Sequence, residues 1–191
     1  MLQLILGLAL FLGAHSVSIA RPAWRARAIA RVGEVPWTLG YATVSAVGLV
    51  LIVLGYGAAR VTDPVLLYQP PTWLRHVSLL LMLPAFTLVL AAYLPGRIQR
   101  ALKHPMLVGV LLWALAHLLA NGTLADLMLF GGFLIWAVAD LVSLNRRQAP
   151  AVPGAPPGRW NDLGAVVGGL ALYVAFIVFL HRWLMGVAPI G

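Results

Sequence analysis

Long apolar stretches separated by short polar segments dominate this chain of 191 residues. A helix needs about 20 apolar residues to cross the hydrocarbon core of a bilayer, and about 17–25 are tolerated. Six stretches approach or reach that length: Leu2–Ala20, Pro36–Tyr56, Trp73–Leu94, Pro105–Ala120, Leu124–Leu144 and Asp162–Met185. The pattern therefore predicts an all-α fold, a polytopic membrane helical bundle of about six transmembrane helices.

Local signals support several of these helix ends. Pro105 suits the first turn of a helix, where no backbone N–H is needed, and Asn121-Gly122 predicts its end. Thr123-Leu124-Ala125-Asp126 has the spacing of a capping box, which predicts that a new helix begins directly afterwards. Pro84 lies inside the third stretch and predicts a kink, because it removes one backbone hydrogen bond.

The distribution of basic residues predicts the orientation of the bundle. The loops after the first, third and fifth helices carry most of the Lys and Arg residues, namely Arg21, Arg25, Arg27, Arg31, Arg97, Arg100, Lys103, Arg146, Arg147 and Arg159. Lys and Arg concentrate in cytoplasmic loops, so both termini are expected to be periplasmic. A re-entrant pair formed by the fourth and fifth helices would instead place the C-terminus inside.

The same pattern divides the chain into three parts. Residues 1–145 form a five-helix membrane core, residues 146–161 a flexible cytoplasmic linker rich in Pro, Gly and Ala, and residues 162–191 a C-terminal transmembrane helix. The first helix is interpreted as a retained span rather than a signal peptide. Its basic residues follow the apolar stretch, whereas a signal peptide carries them in front.

Composition narrows the classes of function. Only 9% of the residues are charged, against about 25% in soluble domains, which indicates an integral membrane protein. The net charge of +8 comes from clusters between apolar stretches, so it does not indicate a nucleic-acid partner. The chain has no cysteine, which excludes disulfides, cysteine-ligated clusters and a thiolate ligand for haem.

Ionisable residues within the apolar stretches are the candidate functional residues, because such groups are costly inside a bilayer. They are His15, His76, His104, His117, His181, Asp126 and Asp140. A single histidine of this kind is commonly structural, and Asp126 can act as a helix cap. Several histidines without any cysteine favour another interpretation, in which two of them ligate one haem iron from opposite faces.

Short motifs along the chain resemble the NnrU family of bacterial inner-membrane proteins. The resemblance covers roughly the first 145 residues and rests on residues 13–16, 29–34, 55–60, 73–76, 95–98 and 104–122. It implies a multi-pass protein of the bacterial inner (plasma) membrane. It also implies an association with denitrification, with components of nitrite or nitric oxide reductase systems as partners.

The family is similar in turn to zeta-carotene isomerase, a membrane enzyme that contains haem b. The histidine motifs of that enzyme match His15-Ser16 and Leu115-Ala116-His117 here. The resemblance therefore implies haem b as cofactor, with His15 and His117 as the iron ligands. The isomerase has a cysteine three residues before its second histidine, where this chain has Ala114, so a thiolate switch cannot operate.

Depth along the helices suggests a different grouping of the histidines. At a rise of 1.5 Å per residue, His15 lies about 8 Å from the inner edge and His117 about 18 Å from it. Depth alone would group His117 with His76 and His181 near the outer face. His76 is therefore kept as a third candidate for cofactor binding.

Three functions stay open at this point. The first is redox sensing or redox-gated chemistry through a bis-histidine haem, and the second is haem-dependent isomerisation of an apolar polyene taken from the bilayer. The third is a methyltransferase that uses S-adenosylmethionine, because residues 100–109, with Lys103, His104, Pro105 and Gly109, echo a motif of membrane methyltransferases. A non-catalytic partner of a reductase is a further alternative.

Overall fold

The computed structural model describes residues 1–62, 64–144, 146–147 and 152–190. Within them the chain is helical, without a named strand. The helices are α1 Leu2–Ala20, α2 Pro22–Val32, α3 Glu34–Thr62, α4 Trp73–Met82, α5 Ala85–Tyr93, α6 Arg97–Leu102, α7 Pro105–Ala120, α8 Leu124–Leu144, α9 Asn161–Ala175 and α10 His181–Met185. A π-helical segment, Phe176–Leu180, joins α9 to α10 without a break.

Five helical stretches in the described residues are long and apolar enough to cross a membrane: α1, α3, Trp73–Tyr93, α8 and Asn161–Met185. The sixth predicted span is the shorter apolar helix α7. The predicted helical bundle is thus confirmed, and the bounds of α1, α7 and α8 agree with the sequence. Helix α3 is longer than predicted at both ends, because its polar terminal residues continue the helix beyond the apolar window.

The predicted interruption at Pro84 is also confirmed. Helix α4 ends at Met82 and α5 begins at Ala85. Just before the proline, the backbone N–H of Leu83 is shared between the carbonyls of Leu79 and Leu80, at 3.2 and 3.3 Å. The Leu79 carbonyl also accepts a hydrogen bond of 2.9 Å from the Tyr173 hydroxyl on α9, which attaches the C-terminal helix to this break.

The helices pack in a defined order from one side of the bundle to the other. Helix α3 packs against α1, α1 against α8, α8 against α7, α7 against α4 and α5, and α5 against α9. A hydrophobic cluster with Leu4, Leu8, Ile52, Leu129 and Phe130 fills the space between α1, α3 and α8. Because α7 and α1 both pack on α8, that helix carries the neighbours of both candidate histidines.

Glycines allow α1 and α3 to approach closely. A Cβ built on Gly7 would lie 2.6 Å from the backbone nitrogen of Ile52, and one built on Gly48 would lie 2.8 Å from the backbone nitrogen of Phe11. Real Cβ atoms do not approach backbone that closely, so a side chain at either position would push the helices apart. Small residues serve this role where membrane helices cross.

Two connections hold the ends of the bundle. At one end, the backbone N–H groups of Leu67 and Tyr68 donate to the carbonyl of Gly122, at 2.8 and 3.1 Å. At the other end, Asp162 accepts hydrogen bonds from the backbone N–H groups of Arg97 and Ile98, at 2.8 and 3.1 Å. Helix α9 therefore contributes the carboxylate that caps α6.

The predicted linker lies partly outside the described residues, which omit 148–151. Residues 152–158 form neither helix nor strand. Within them, the backbone N–H of Ala155 donates to the Tyr93 carbonyl at 2.9 Å. The Asn161 amide donates to the Pro95 carbonyl at 2.9 Å. These contacts bring the segment against the end of α5, while the predicted flexibility of residues 146–161 stays a prediction.

Candidate functional site

His117 lies near the C-terminal end of α7, with its side chain oriented by its own helix. Its Nδ1 atom is 2.8 Å from the carbonyl oxygen of Trp113, one turn earlier. A carbonyl only accepts hydrogen bonds, so this contact assigns the proton to Nδ1 and leaves the lone pair on Nε2. Metal-ligating histidines commonly have this arrangement, because the second hydrogen bond fixes the tautomer and the ring orientation.

Aromatic rings surround the imidazole of His117. The ring stacks on Phe130 of α8, with the centroids 4.5 Å apart and the planes at 25°. The Trp113 ring lies at 5.4 Å, and Phe130 contacts Tyr56 of α3 edge-on at 5.9 Å. The side chain of His117 is half-buried in an apolar environment. Such surroundings disfavour a charged imidazolium and favour a neutral ring that can act as a ligand.

His15 on α1 shows the same local chemistry. Its Nδ1 atom is 2.7 Å from the carbonyl of Phe11, and its ring stacks on the Phe11 ring at 4.2 Å. Tyr41 of α3 lies at 5.2 Å, and Trp136 of α8 contacts the imidazole edge-on at 5.9 Å. The Nε2 atom of His15 is therefore also the nitrogen with a free lone pair.

The structure does not bring His15 and His117 together. His117 stacks on Phe130 and His15 packs beside Trp136, two α8 residues that are separated by about 9 Å at the helical rise. Between them runs a row of rings in which Phe133 contacts both Phe11, at 5.7 Å, and Trp113, at 5.4 Å. The assignment of both histidines to one iron stays a prediction.

The other candidate histidines are dispersed. His76 is exposed on α4, and His104 is the residue before the first turn of α7. His181 on α10 directs Nδ1 to the Val187 carbonyl at 2.7 Å. Among the described residues, no group of three or more His, Asp or Glu side chains is placed to hold a metal ion.

Asp126 forms a buried polar network at the N-terminal end of α8. Its Oδ2 accepts hydrogen bonds from the Thr123 N–H at 2.9 Å and from the Thr123 hydroxyl at 2.6 Å, while its own N–H donates to Thr123 Oγ1 at 3.2 Å. The predicted capping box is thus confirmed. In addition, the Tyr56 hydroxyl donates to Asp126 Oδ1 at 2.5 Å. The sequence analysis did not predict this contact.

Tyr68, in the loop after α3, contacts the C-terminal end of α7. Its hydroxyl donates to the carbonyls of Leu118 and Asn121, the latter at 2.6 Å. Burial raises the pKa of Tyr68, and the negative charge of Asp126 raises it further. The phenol therefore keeps its proton at physiological pH and continues to donate to the backbone at the end of α7.

Two remaining candidates have local explanations. Asp140, near the C-terminal end of α8, forms an ion pair with Arg147, which also donates to the Ser143 hydroxyl at 2.9 Å. Ala114, at the position of the isomerase cysteine, is fully buried in the core. No observation on the described residues favours isomerase chemistry or a methyltransferase, and these alternatives stay predictions.

Haem b is the cofactor that the resemblance implies, and its fit can be examined residue by residue. His117 fits as a donor, because Nε2 is free and the ring is held by a carbonyl and an aromatic stack. His15 has the same donor chemistry. In the described packing the two imidazoles contact different rings of α8, Trp136 for His15 and Phe130 for His117. Both imidazoles thus have the donor chemistry of an iron ligand, and their joint ligation of one haem stays a prediction.

Comparison with known proteins gives a family match over nearly the whole chain. A family model described as NnrU protein matches residues 3–189. The match extends beyond the 145 or so residues of the motif resemblance and includes the C-terminal helix. No curated protein and no solved structure matches the chain.

Proposed function

Since the chain belongs to the NnrU family, we propose that it binds haem b in the bacterial inner membrane, with His117 as the ligand of the iron. The observation that carries the proposal is the orientation of this imidazole, whose Nδ1–H is held by the Trp113 carbonyl. Nε2 is thereby kept as the donor. The absence of cysteine makes histidine the natural soft ligand in this chain.

The residues around His117 have distinct tasks in this proposal. The Trp113 carbonyl selects the tautomer, and the stack on Phe130 fixes the plane of the ring. The apolar rings exclude water, which keeps the imidazole neutral and able to donate a lone pair. The buried network of Asp126 and Tyr56 keeps the neighbouring helices in place, because it joins α3 to α8 beside Phe130.

Ligation by a single histidine determines which chemistry the cofactor supplies. A haem held by one imidazole keeps an open position where a diatomic molecule such as nitric oxide can bind. We assign this NnrU protein a role in sensing or redox-gated handling of nitrogen oxides, with nitrite or nitric oxide reductase components as its partners. In this proposal His15 does not ligate the iron, because it packs beside Trp136, away from the Phe130 ring on which His117 stacks.

The optical spectrum of the purified full-length chain tests the proposal. The wild-type protein should show a Soret band and a reduced-minus-oxidised difference spectrum of haem b. His117→Ala should lose most of the bound haem, because the donor nitrogen is removed. His104→Ala is the matched control, since His104 precedes α7 and its side chain forms no cap hydrogen bond, and it should keep the spectrum. A wild-type protein without a Soret band, or a His117→Ala variant with the full haem content, would contradict the proposal.

A further inference from the structure

The inner end of the bundle carries a basic surface that the haem proposal does not use. Helix α2 follows α1 directly and precedes α3, and α1 and α3 pack side by side. Both ends of α2 therefore lie at the same end of the bundle, and the helix runs along that end rather than into the apolar layer. None of its residues is buried.

Four arginines lie on or beside this helix: Arg21, Arg25, Arg27 and Arg31. Among the described residues, the ion pair that forms joins Arg147 to Asp140. Within that part of the chain, the arginines on and beside α2 therefore have no carboxylate partner. Arg27 donates only to a backbone carbonyl of its own helix, that of Ala23, at 3.3 Å. Their positive charges remain available to an external anion.

Two hollows adjoin the arginines at the start of α2. One has a volume of about 440 Å³ and is lined by Ala20, Arg21, Pro22, Ala23, Trp24 and Arg27. The other, of about 360 Å³, shares Pro22 and reaches the end of α8, and Arg146 and Arg147, which follow that helix, line it. Both hollows thus combine guanidinium groups with apolar walls at the level where the membrane helices end.

We propose that this basic surface binds the headgroup of an anionic phospholipid. Arg21 and Arg27 would contact the phosphate, because guanidinium groups match phosphate oxygens in charge and geometry. Trp24, half-exposed on the same wall, would lie against the glycerol and upper acyl region, as interfacial tryptophans do. A lipid rather than a soluble anion is the expected occupant, since the hollows open beside exposed apolar surface at the end of spanning helices.

Lipid retention by the full-length chain tests this site. The purified protein in detergent is titrated with phosphatidylglycerol or phosphatidylcholine, and bound lipid is counted by native mass spectrometry. The wild-type chain should retain phosphatidylglycerol in clear preference. Arg21→Gln combined with Arg27→Gln should weaken its retention by at least about tenfold, since each basic group near a membrane surface contributes about 1 kcal/mol.

Arg75→Gln is the matched control, because Arg75 is an exposed arginine near the start of α4, outside both hollows, and it should leave retention unchanged. Circular dichroism checks that each variant keeps its helix content. If the wild-type chain retains phosphatidylglycerol and phosphatidylcholine equally, that result alone overturns the proposal. Displacement of phosphatidylglycerol by excess inorganic phosphate also overturns it, because the site would then be one for a free anion.

Discussion

The hydroxyl of Tyr56 on α3 donates a 2.5 Å hydrogen bond to the carboxylate of Asp126 on α8, a residue that is only 3% exposed. Charged or polar groups inside a bilayer are retained where a partner satisfies them. Here the partner comes from a different helix, so the pair also fixes how α3 meets α8. Phe130, which stacks on His117, contacts the same tyrosine ring.

Replacing Tyr56 with Phe should lower the free energy of unfolding by about 1–3 kcal/mol, because a buried carboxylate oxygen then loses its donor. Thermal unfolding in detergent measures the change. Tyr93→Phe is the control, since that side chain is 43% exposed and its loss of a hydroxyl should have little effect. Equal stability of the two variants would show that the Asp126 contact does not hold the helices.

The glycine contact between α1 and α3 gives a second prediction. Gly7→Ala should destabilise the chain by about 1–3 kcal/mol, because the added Cβ would overlap backbone atoms of Ile52 and the helices would have to separate. Gly13→Ala is a matched control on the same helix. A Cβ there meets nothing within 4 Å, so the change should be neutral or stabilising by about 0.5–1 kcal/mol. A stable Gly7→Ala variant would contradict the close crossing.

The cap that Asp162 provides for α6 gives a third prediction. Asp162→Ala removes the acceptor for the backbone N–H groups of Arg97 and Ile98. Amide hydrogen exchange should then become faster in residues 96–102, while α8 keeps its protection. Glu34→Ala, which changes an acid at the start of α3, is the control and should leave exchange in α6 unchanged. Unaltered exchange in α6 of the Asp162→Ala variant would rule out the capping role.

Much of the fold could be predicted from the length of the apolar stretches and from residues that typically begin or end helices. Three of these signals act locally, so their effect is visible in a short window of sequence. They are Pro105 at the start of α7, the capping box at the start of α8, and Pro84. Helix α2 was missed because it is short, with four arginines on or beside it, and carries no apolar stretch long enough to cross a membrane. The continuation of α3 to Thr62 was missed because hydropathy detects the apolar part of a helix and not its end.

The arrangement of the candidate site was harder to predict, because it depends on contacts between distant segments. The depth of His117 relative to His15 was inferred from helix lengths and stays a prediction. The pairing of Tyr56 with Asp126 joins residues 70 positions apart. The only sequence signal for it was an acidic residue within an apolar span. Similarly, the row of rings through Phe133 depends on how α1 and α7 pack on α8, which local pattern does not specify.

Electron paramagnetic resonance of the ferric full-length protein tests the central claim most directly, with wild type, His15→Ala and His117→Ala compared at equal protein concentration. The account predicts a high-spin ferric signal in the wild type, retained in His15→Ala and lost in His117→Ala. A low-spin signal typical of two imidazole ligands, abolished by either substitution, would contradict ligation by His117 alone and would show that His15 shares the iron.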